Sequence, residues 1–238
     1  ELSEQLRHVL DLDRLMTKLV YGTATARDLR AISSTAALIP EIKEMTADFV
    51  SAELSDIHTH LDTLADIREL IDRSIVDEPP FSLREGGFIR RGFNSEADEL
   101  YSIVHDGKSY IEKIAEDERE KTGIKNLKVS YNRVFGYYIE VTKSFYDLVP
   151  ARYVRKQTLA ACERFITDEL KDLEKKILGA EESATRLEYQ LFLKIRETLD
   201  ASLTRLSRVS KALKEIGALL ALAEAAVDNN YVRPNINE

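Results

Sequence analysis

Apolar residues along this chain repeat with a period near 3.6, switch to a period of 2 near residue 127, and return to 3.6 near residue 168. Helices and strands bury different sets of positions, so one pattern cannot serve both. Leu127, Val129 and Tyr131 alternate with Lys128, Ser130 and Asn132, which predicts a half-buried strand. Asn132 to Gly136 reads as a turn, and Tyr137 to Thr142 as a second strand rich in β-formers. Tyr153 to Thr158 is expected to form a third strand and Arg164 to Thr167 a short fourth.

The flanks read as helices. Leu2, Leu6, Val9, Leu12, Leu15 and Leu19 share one face of a helix that Gly22 would stop. Thr25 and Asp28 form a capping-box pattern ahead of Leu29, Ile32, Ala36 and Ile39, a stripe expected to run up to Pro40. Ile57, Leu61, Leu64, Ile67 and Ile71 mark a further helix, ended by Pro79 and Pro80. Residues 79 to 94 look like a loop that packs, with Phe81, Phe88 and Phe93 among glycines. Ser95 and Asp98 suggest a second capping box, opening a helix that Gly123 closes. From Asp168, Leu170, Leu173, Ile177, Ala180, Ala184, Leu187 and Leu191 step as a heptad seam. The helical pattern lasts to about Asp228, with a break expected between Thr198 and Ser202. The fold class is therefore mainly α: a bundle or lever of long helices carrying a small inserted α+β module with an antiparallel sheet.

Charge follows the same division. Nine basic and three acidic residues lie between Lys121 and Phe165, so this segment carries +6 in a chain of net charge −8, leaving −14 elsewhere. Eight of the eighteen aromatics fall in the same segment. A basic, aromatic island in an acidic chain points to nucleic acid, although most of its aromatics are needed as the core of so small a sheet. Its lysines and arginines can neutralise phosphates with release of counterions. Asn132, Gln157 and Thr158 can hydrogen-bond phosphate oxygens, contacts that position without reading sequence.

Other chemistries find little support. One cysteine, Cys162, excludes an intrachain disulfide and a cysteine zinc site and fits a reducing compartment. It reads as a packed, inert thiol. His58 and His60 point roughly 200° apart on a helix and cannot share a metal. No phosphate-cradling glycine loop, nucleophile elbow or acid–base carboxylate pair occurs, so no catalytic residue and no metal site is assigned. No stretch has the ~20 apolar residues of a membrane span. The opening Glu1-Leu2-Ser3-Glu4 shows no signal peptide and is expected to be a cut inside a longer protein.

Three stretches carry a resemblance. Leu127-Lys128-Val129-Ser130-Tyr131-Asn132-Arg133-Val134-Phe135-Gly136-Tyr137-Tyr138-Ile139-Glu140-Val141 closely resembles the bacterial MutS family of DNA mismatch-repair proteins. So do Tyr153-Val154-Arg155-Lys156-Gln157-Thr158-Leu159 and Glu163-Arg164-Phe165-Ile166-Thr167-Asp168-Glu169-Leu170. In order and spacing they are similar to the family's clamp domain. Asp11 to Leu15 and Ala26 to Leu29 resemble its core helices, and Leu222 to Ala225 with Tyr231-Val232-Arg233-Pro234 its junction with the ATPase domain. Asp168 stands where the family often has proline; Thr167 is still expected to cap the helix that follows.

The resemblance implies core and lever helices over 1–110, an inserted clamp over 111–170, lever and core helices over 171–230, and the start of a linker over 231–238. It implies that the clamp grips the duplex DNA backbone without sequence specificity and that the levers couple the DNA end to a distant ATPase. The phosphate-approaching residues would be Asn132 and Arg133 in the turn, then Lys156, Gln157 and Thr158, with Lys128 and Arg155 beside them. ATP and magnesium belong to the parent family rather than to this segment, which lacks Walker motifs and is not expected to be an enzyme. A homodimer, a MutL-type repair partner and a cytoplasmic, nucleoid-associated location are implied for the full-length protein. The rival expectation, from the residues alone, is an acidic helical scaffold whose heptad seam binds a partner helix without nucleic acid.

Overall fold

The computed structural model describes residues 1–132, 134 and 136–232. Among them are eight α-helices and one four-stranded antiparallel sheet, so the fold is mainly α with a small inserted sheet. The chain divides into two compact units, residues 1–93 with the chain from 188 onward, and residues 94–187. The inserted unit thus takes in more of the flanking helical sequence than the 111–170 that the resemblance implies. Arg233 to Glu238, part of the expected linker, lie outside the described residues.

The first unit holds α1 (Leu2–His8), α2 (Leu12–Val20), α3 (Ala26–Met45), α4 (Ala52–His60) and α5 (Ala65–Ser74). To these it adds the end of α7 (Asp168–Asp200) and all of α8 (Leu203–Asp228). The stripe residues Leu12, Leu15, Leu19, Leu29, Ile32, Ile39, Ile67 and Ile71 are buried, as their spacing requires. The capping box at Thr25 and Asp28 forms in full.

Three helix boundaries differ from the periodic reading. The first expected helix is two, because the Asp11 side chain accepts from Arg14 N at 3.0 Å and restarts the chain as α2. Helix α3 runs through Pro40 to Met45. Pro40 is exposed, while Ile39 and Ile42 on the buried face outweigh the single lost hydrogen bond. The stripe from Ile57 to Ile71 is broken between α4 and α5. There Leu64 takes a left-handed φ of 52°. Asp62 accepts from Leu64 N at 3.0 Å, and burial of Leu64 holds the strained turn.

The packed loop after α5 is pinned from α7. The fully buried Glu188 carboxylate accepts from Gly87 N at 2.7 Å and Ile89 N at 3.0 Å. Phe88, between those two amides, packs edge-on against Phe192 one turn further along α7.

The second unit comprises α6 (Ser95–Thr122), β1 (Lys128–Asn132), β2 (Gly136–Thr142), β3 (Val154–Thr158), β4 (Cys162–Ile166) and the first part of α7. Helix α6 is capped by Asn94, not Ser95: its side chain accepts from Ala97 N at 3.0 Å. Gly123 ends the helix with a φ of +73°. The strand order is β1-β2-β4-β3, all antiparallel. One sheet face closes on the helices, where Ile139, Val141 and Phe165 pack with Ile111, Leu127, Leu170 and Ile177. At the α6–α7 crossing, an ideal Cβ on Gly107 would lie 2.8 Å from Ile177 Cδ1, so glycine permits the approach. Thr167 caps α7 as expected, accepting from Leu170 N at 3.2 Å. Seam residues Leu170, Ile177, Ala180, Ala184 and Leu191 are buried within the chain, which leaves little of the seam for another helix.

No helix among the described residues is long and apolar enough to cross a membrane. No cluster of His, Cys, Asp or Glu suited to a metal occurs among them.

Candidate nucleic-acid interface

The sheet register decides which charged residues meet. Ladder partners share a face, so Lys128, Glu140, Arg164 and Gln157 form one row across all four strands. Val129, Ile139, Phe165 and Arg155 form the next row, on the opposite, helix-facing side. Arg155 and Gln157, two residues apart, would share a face in a regular strand. A register shift between them instead puts them on opposite faces and leaves Lys156 without a ladder partner.

Arg164 organises the outer face. Its guanidinium lies over the Tyr138 ring, Nε reaches Glu140 Oε2 at 3.3 Å, and Nη1 donates to Gln157 Oε1 at 3.0 Å. The other arginines described in this segment are also engaged. Arg152 pairs with the buried Glu118 at 2.6 Å, and Tyr153 donates its hydroxyl to the same carboxylate at 2.6 Å. Arg155 pairs with the buried Glu163 at 3.0 Å. Thr158, on the row of Glu163, donates to it weakly at 3.4 Å.

The lysines behave differently. Lys125, Lys128, Lys143 and Lys156 are exposed, and none has an ion-pair partner among the described residues. Asn126 Nδ2 donates to Thr142 Oγ1 at 2.8 Å, which sets Lys125 and Lys143 at the end of the sheet where β1 starts and β2 ends. Lys128 opens β1 at this same end, and β3 finishes there at Thr158. Lys128 also lines a groove with Glu112 and Glu116 of α6, which temper its charge without pairing with it.

Asn132 lies at the other end of the sheet, about 13 Å from Lys128 at the usual rise of a strand. Its Oδ1 accepts from Val134 N at 2.8 Å and holds the turn, leaving Nδ2 as a donor. The Gln157 amide is arranged likewise, with its oxygen on Arg164 and its NH₂ left over. Arg133 lies outside the described residues. The expected set is therefore dispersed. Lys128 and Gln157 share one row, Lys156 stands beside them in chain order, and Arg155 and Thr158 turn to Glu163. Asn132 stands apart.

Two features escaped the periodic reading. Lys125 and Lys143 belong to the basic island, but it is the β1–β2 pairing and the Asn126–Thr142 bond that bring them to one end of the sheet. Arg164 as the organiser follows from register, which the strand pattern does not supply. Cys162 is half-buried, and burial followed by the Glu140 carboxylate pushes its thiol up, away from a reactive thiolate. His58 contacts Thr46 Oγ1 and His60 the carbonyl of Asp56, both local contacts.

Comparison with known proteins agrees with this architecture. Residues 92–183 match the family model described as MutS family domain IV, nearly the span of the second compact unit. The whole chain is 49% identical to the DNA mismatch repair protein MutS of Alkaliphilus oremlandii over 237 residues. The chain belongs to the MutS family. It is also 48% identical to MutS of Acetivibrio thermocellus and 47% identical to MutS of Ruminiclostridium cellulolyticum, each match covering all of the chain. In all three comparisons the chain spans 27% of the relative's length, so it corresponds to a segment of a MutS protein.

Proposed function

We propose that the 94–187 unit grips the sugar-phosphate backbone of duplex DNA without reading bases, as part of a mismatch-repair protein. One observation carries this reading: the carboxylates on the strands of the sheet are spent on arginines while the lysines beside them are left without ion-pair partners. Glu118, Glu140 and Glu163 each hold an arginine. The carbonyl oxygens of Asn132 and Gln157 are bonded internally. The sheet and its ends thus keep four unpaired lysine ammonium groups and two amide NH₂ groups, a set suited to phosphate oxygens. Arg133, from its place in the turn, and Arg155 and Thr158, once drawn from Glu163, are the secondary contacts of this proposal.

In the same reading, the helices on either side carry conformational change between the DNA end and an ATPase located elsewhere in the full-length dimer. ATP and magnesium act there, a MutL-type protein is the downstream partner, and the bacterial cytoplasm is the setting. This chain is assigned no catalytic role.

The test is fluorescence anisotropy of labelled duplex DNA at low and moderate salt, with this chain alone and carried within a full-length MutS protein. The full-length form supplies the avidity of two chains. Binding is expected to be indifferent to sequence and to fall with salt. Replacing both Lys128 and Lys156 by Glu is expected to weaken it by roughly tenfold or more and to lower the salt slope by about 2. Salt-independent binding, or binding unaltered by the double reversal, refutes the reading.

A further inference from the structure

In the row Lys128, Glu140, Arg164 and Gln157, each residue is the ladder partner of the next. Side chains directly opposite on one face lie within reach of each other. Glu140 therefore stands between two cations, Lys128 on one side and Arg164 on the other. It is the one carboxylate among the described strand positions of the outer face. Arg164 takes it, with Nε 3.3 Å from Glu140 Oε2. Lys128 is left exposed and without an ion pair among the described residues.

What each cation rests on decides between them. The Arg164 guanidinium is seated over the Tyr138 ring and donates from Nη1 to Gln157 Oε1 at 3.0 Å. Lys128 has no such seat. The Arg164 side chain is 19% exposed, too covered to reach a phosphate while it holds these partners. A guanidinium has donors and no acceptor, so Gln157 must turn its oxygen to Arg164 and its NH₂ away. The groups left over at the two ends of the row are therefore both donors, the Lys128 ammonium and the Gln157 NH₂. Without Arg164, the partly exposed Glu140 would face Lys128 across the ladder, and the Gln157 amide would be free to turn. Glu112 and Glu116 line the groove beside Lys128 as well, but they leave it unpaired.

We propose that Arg164 is a positioning residue for duplex binding: without touching DNA, it occupies Glu140 and the Gln157 oxygen and so keeps the Lys128 ammonium and the Gln157 NH₂ available to phosphates. This rests on the DNA-gripping reading and adds to it a residue that serves binding from within the sheet. A lysine captured by a carboxylate no longer displaces a counterion from DNA. Loss of Arg164 therefore removes a phosphate contact that belongs to another residue.

The experiment measures duplex affinity across a salt series for Lys128→Ala, Arg164→Met, the two combined, and Arg164→Met combined with Glu140→Gln, each carried in a full-length MutS protein. Lys128→Ala is expected to lower the salt slope by about 1. Arg164→Met should lower it by the same amount and weaken binding by about fivefold at about 50 mM salt. The two losses of slope should not add, because both remove the Lys128 contact. Glu140→Gln should restore the parent slope to Arg164→Met, since no carboxylate of the outer face then competes for Lys128. A phosphate contact made by Arg164 itself predicts additive losses that Glu140→Gln does not restore, and a purely structural role is not rescued by removing a charge; either result overturns the proposal. Should Arg164→Met fail to fold, Arg164→Lys decides, because an ammonium can hold Glu140 but not Gln157 as well. It is expected to keep the parent slope with about twofold weaker binding, and a lowered slope overturns the proposal. If Lys128→Ala lowers the slope while Arg164→Met changes neither slope nor affinity, the Arg164 proposal is overturned and the DNA-gripping reading stands. If Lys128→Ala and Lys156→Glu both leave binding unaltered, the DNA-gripping reading fails and this proposal falls with it.

Discussion

The Arg164 guanidinium sits 4.4 Å from the centroid of the Tyr138 ring and covers a side chain that would otherwise be open on the outer sheet face. Tyr138 is 6% exposed although it points away from the helices. One cation therefore does for the outer face what the apolar core does for the inner one, and it does so at the centre of the sheet, between β2 and β3.

Replacing Arg164 by Ala removes the cation–π contact and the links to Glu140 and Gln157. A loss of about 1–3 kcal/mol is expected, from cation–π and charge-assisted hydrogen-bond contributions. Arg164→Lys should recover only part of it, because an ammonium cannot stack flat and reach both partners. Urea unfolding followed by tyrosine fluorescence reads this without interference, as the chain has no tryptophan. Equal stability of Arg164→Ala and the parent would refute it.

The helical glycines should respond with opposite signs. Ala at Gly107 gains helix propensity but collides with Ile177, and a net loss of about 1–3 kcal/mol is expected. At Gly217 in α8 an added Cβ meets nothing within 4 Å, so Gly217→Ala should stabilise by up to about 1 kcal/mol. Thermal midpoints of the two variants should move in opposite directions from the parent.

Glu188 has no exposed surface and serves two backbone amides. Glu188→Ala leaves the buried amide of Ile89 without an acceptor, frees the part-buried amide of Gly87 and opens a cavity beside Phe88. Roughly 3 kcal/mol or more of stability should be lost. Hydrogen exchange is the sharper readout: residues 87–89 should lose protection first, ahead of the sheet.

Arg205 binds Asp62 and Asp66 at once, with its closest contact to each at 2.7 Å. Hydrogen bonds from Arg205 hold both carboxyls below their ordinary 3.8, against a smaller opposing effect of burial. A carboxyl with a lowered folded-state pKa adds stability that is complete above its unfolded value and is lost as pH falls through the folded one. Arg205→Met is therefore expected to cost about 1–2 kcal/mol at neutral pH, discounted for the partial exposure of all three groups. The gap should stay constant down to about pH 5 and shrink progressively as pH falls below the ordinary carboxyl value. A gap that stays undiminished however far the pH falls below 3.8 would show that Arg205 acts by packing instead.

Local signals located the elements well. The change of period at Leu127 and its reversal at Asp168 marked the sheet to within about two residues, because alternation and helical spacing bury incompatible positions. Thr25, Gly123 and Thr167 act at the helix ends their side chains suggested, since capping is settled within four residues of chain. Failures came where a nearby competitor was equally local. Asn94 displaced Ser95 as a cap, and Asp11 and Asp62 interrupted stripes that looked continuous.

The candidate interface was legible as a composition and not as a surface. A +6 segment in an acidic chain identifies which residues are available, and the resemblance of the strand motifs names the family. Neither says that arginines are consumed by Glu118, Glu140 and Glu163 while lysines stay free, or that Asn132 and Lys128 stand at opposite ends. Those outcomes depend on register between strands up to 26 residues apart in the ladder Glu140–Arg164 and its neighbours, and on one bulge beside Lys156. Capping and periodicity are short-range and write themselves into neighbouring residues. Charge pairing across a sheet is long-range, and a shift of one residue in register moves every side chain to the other face.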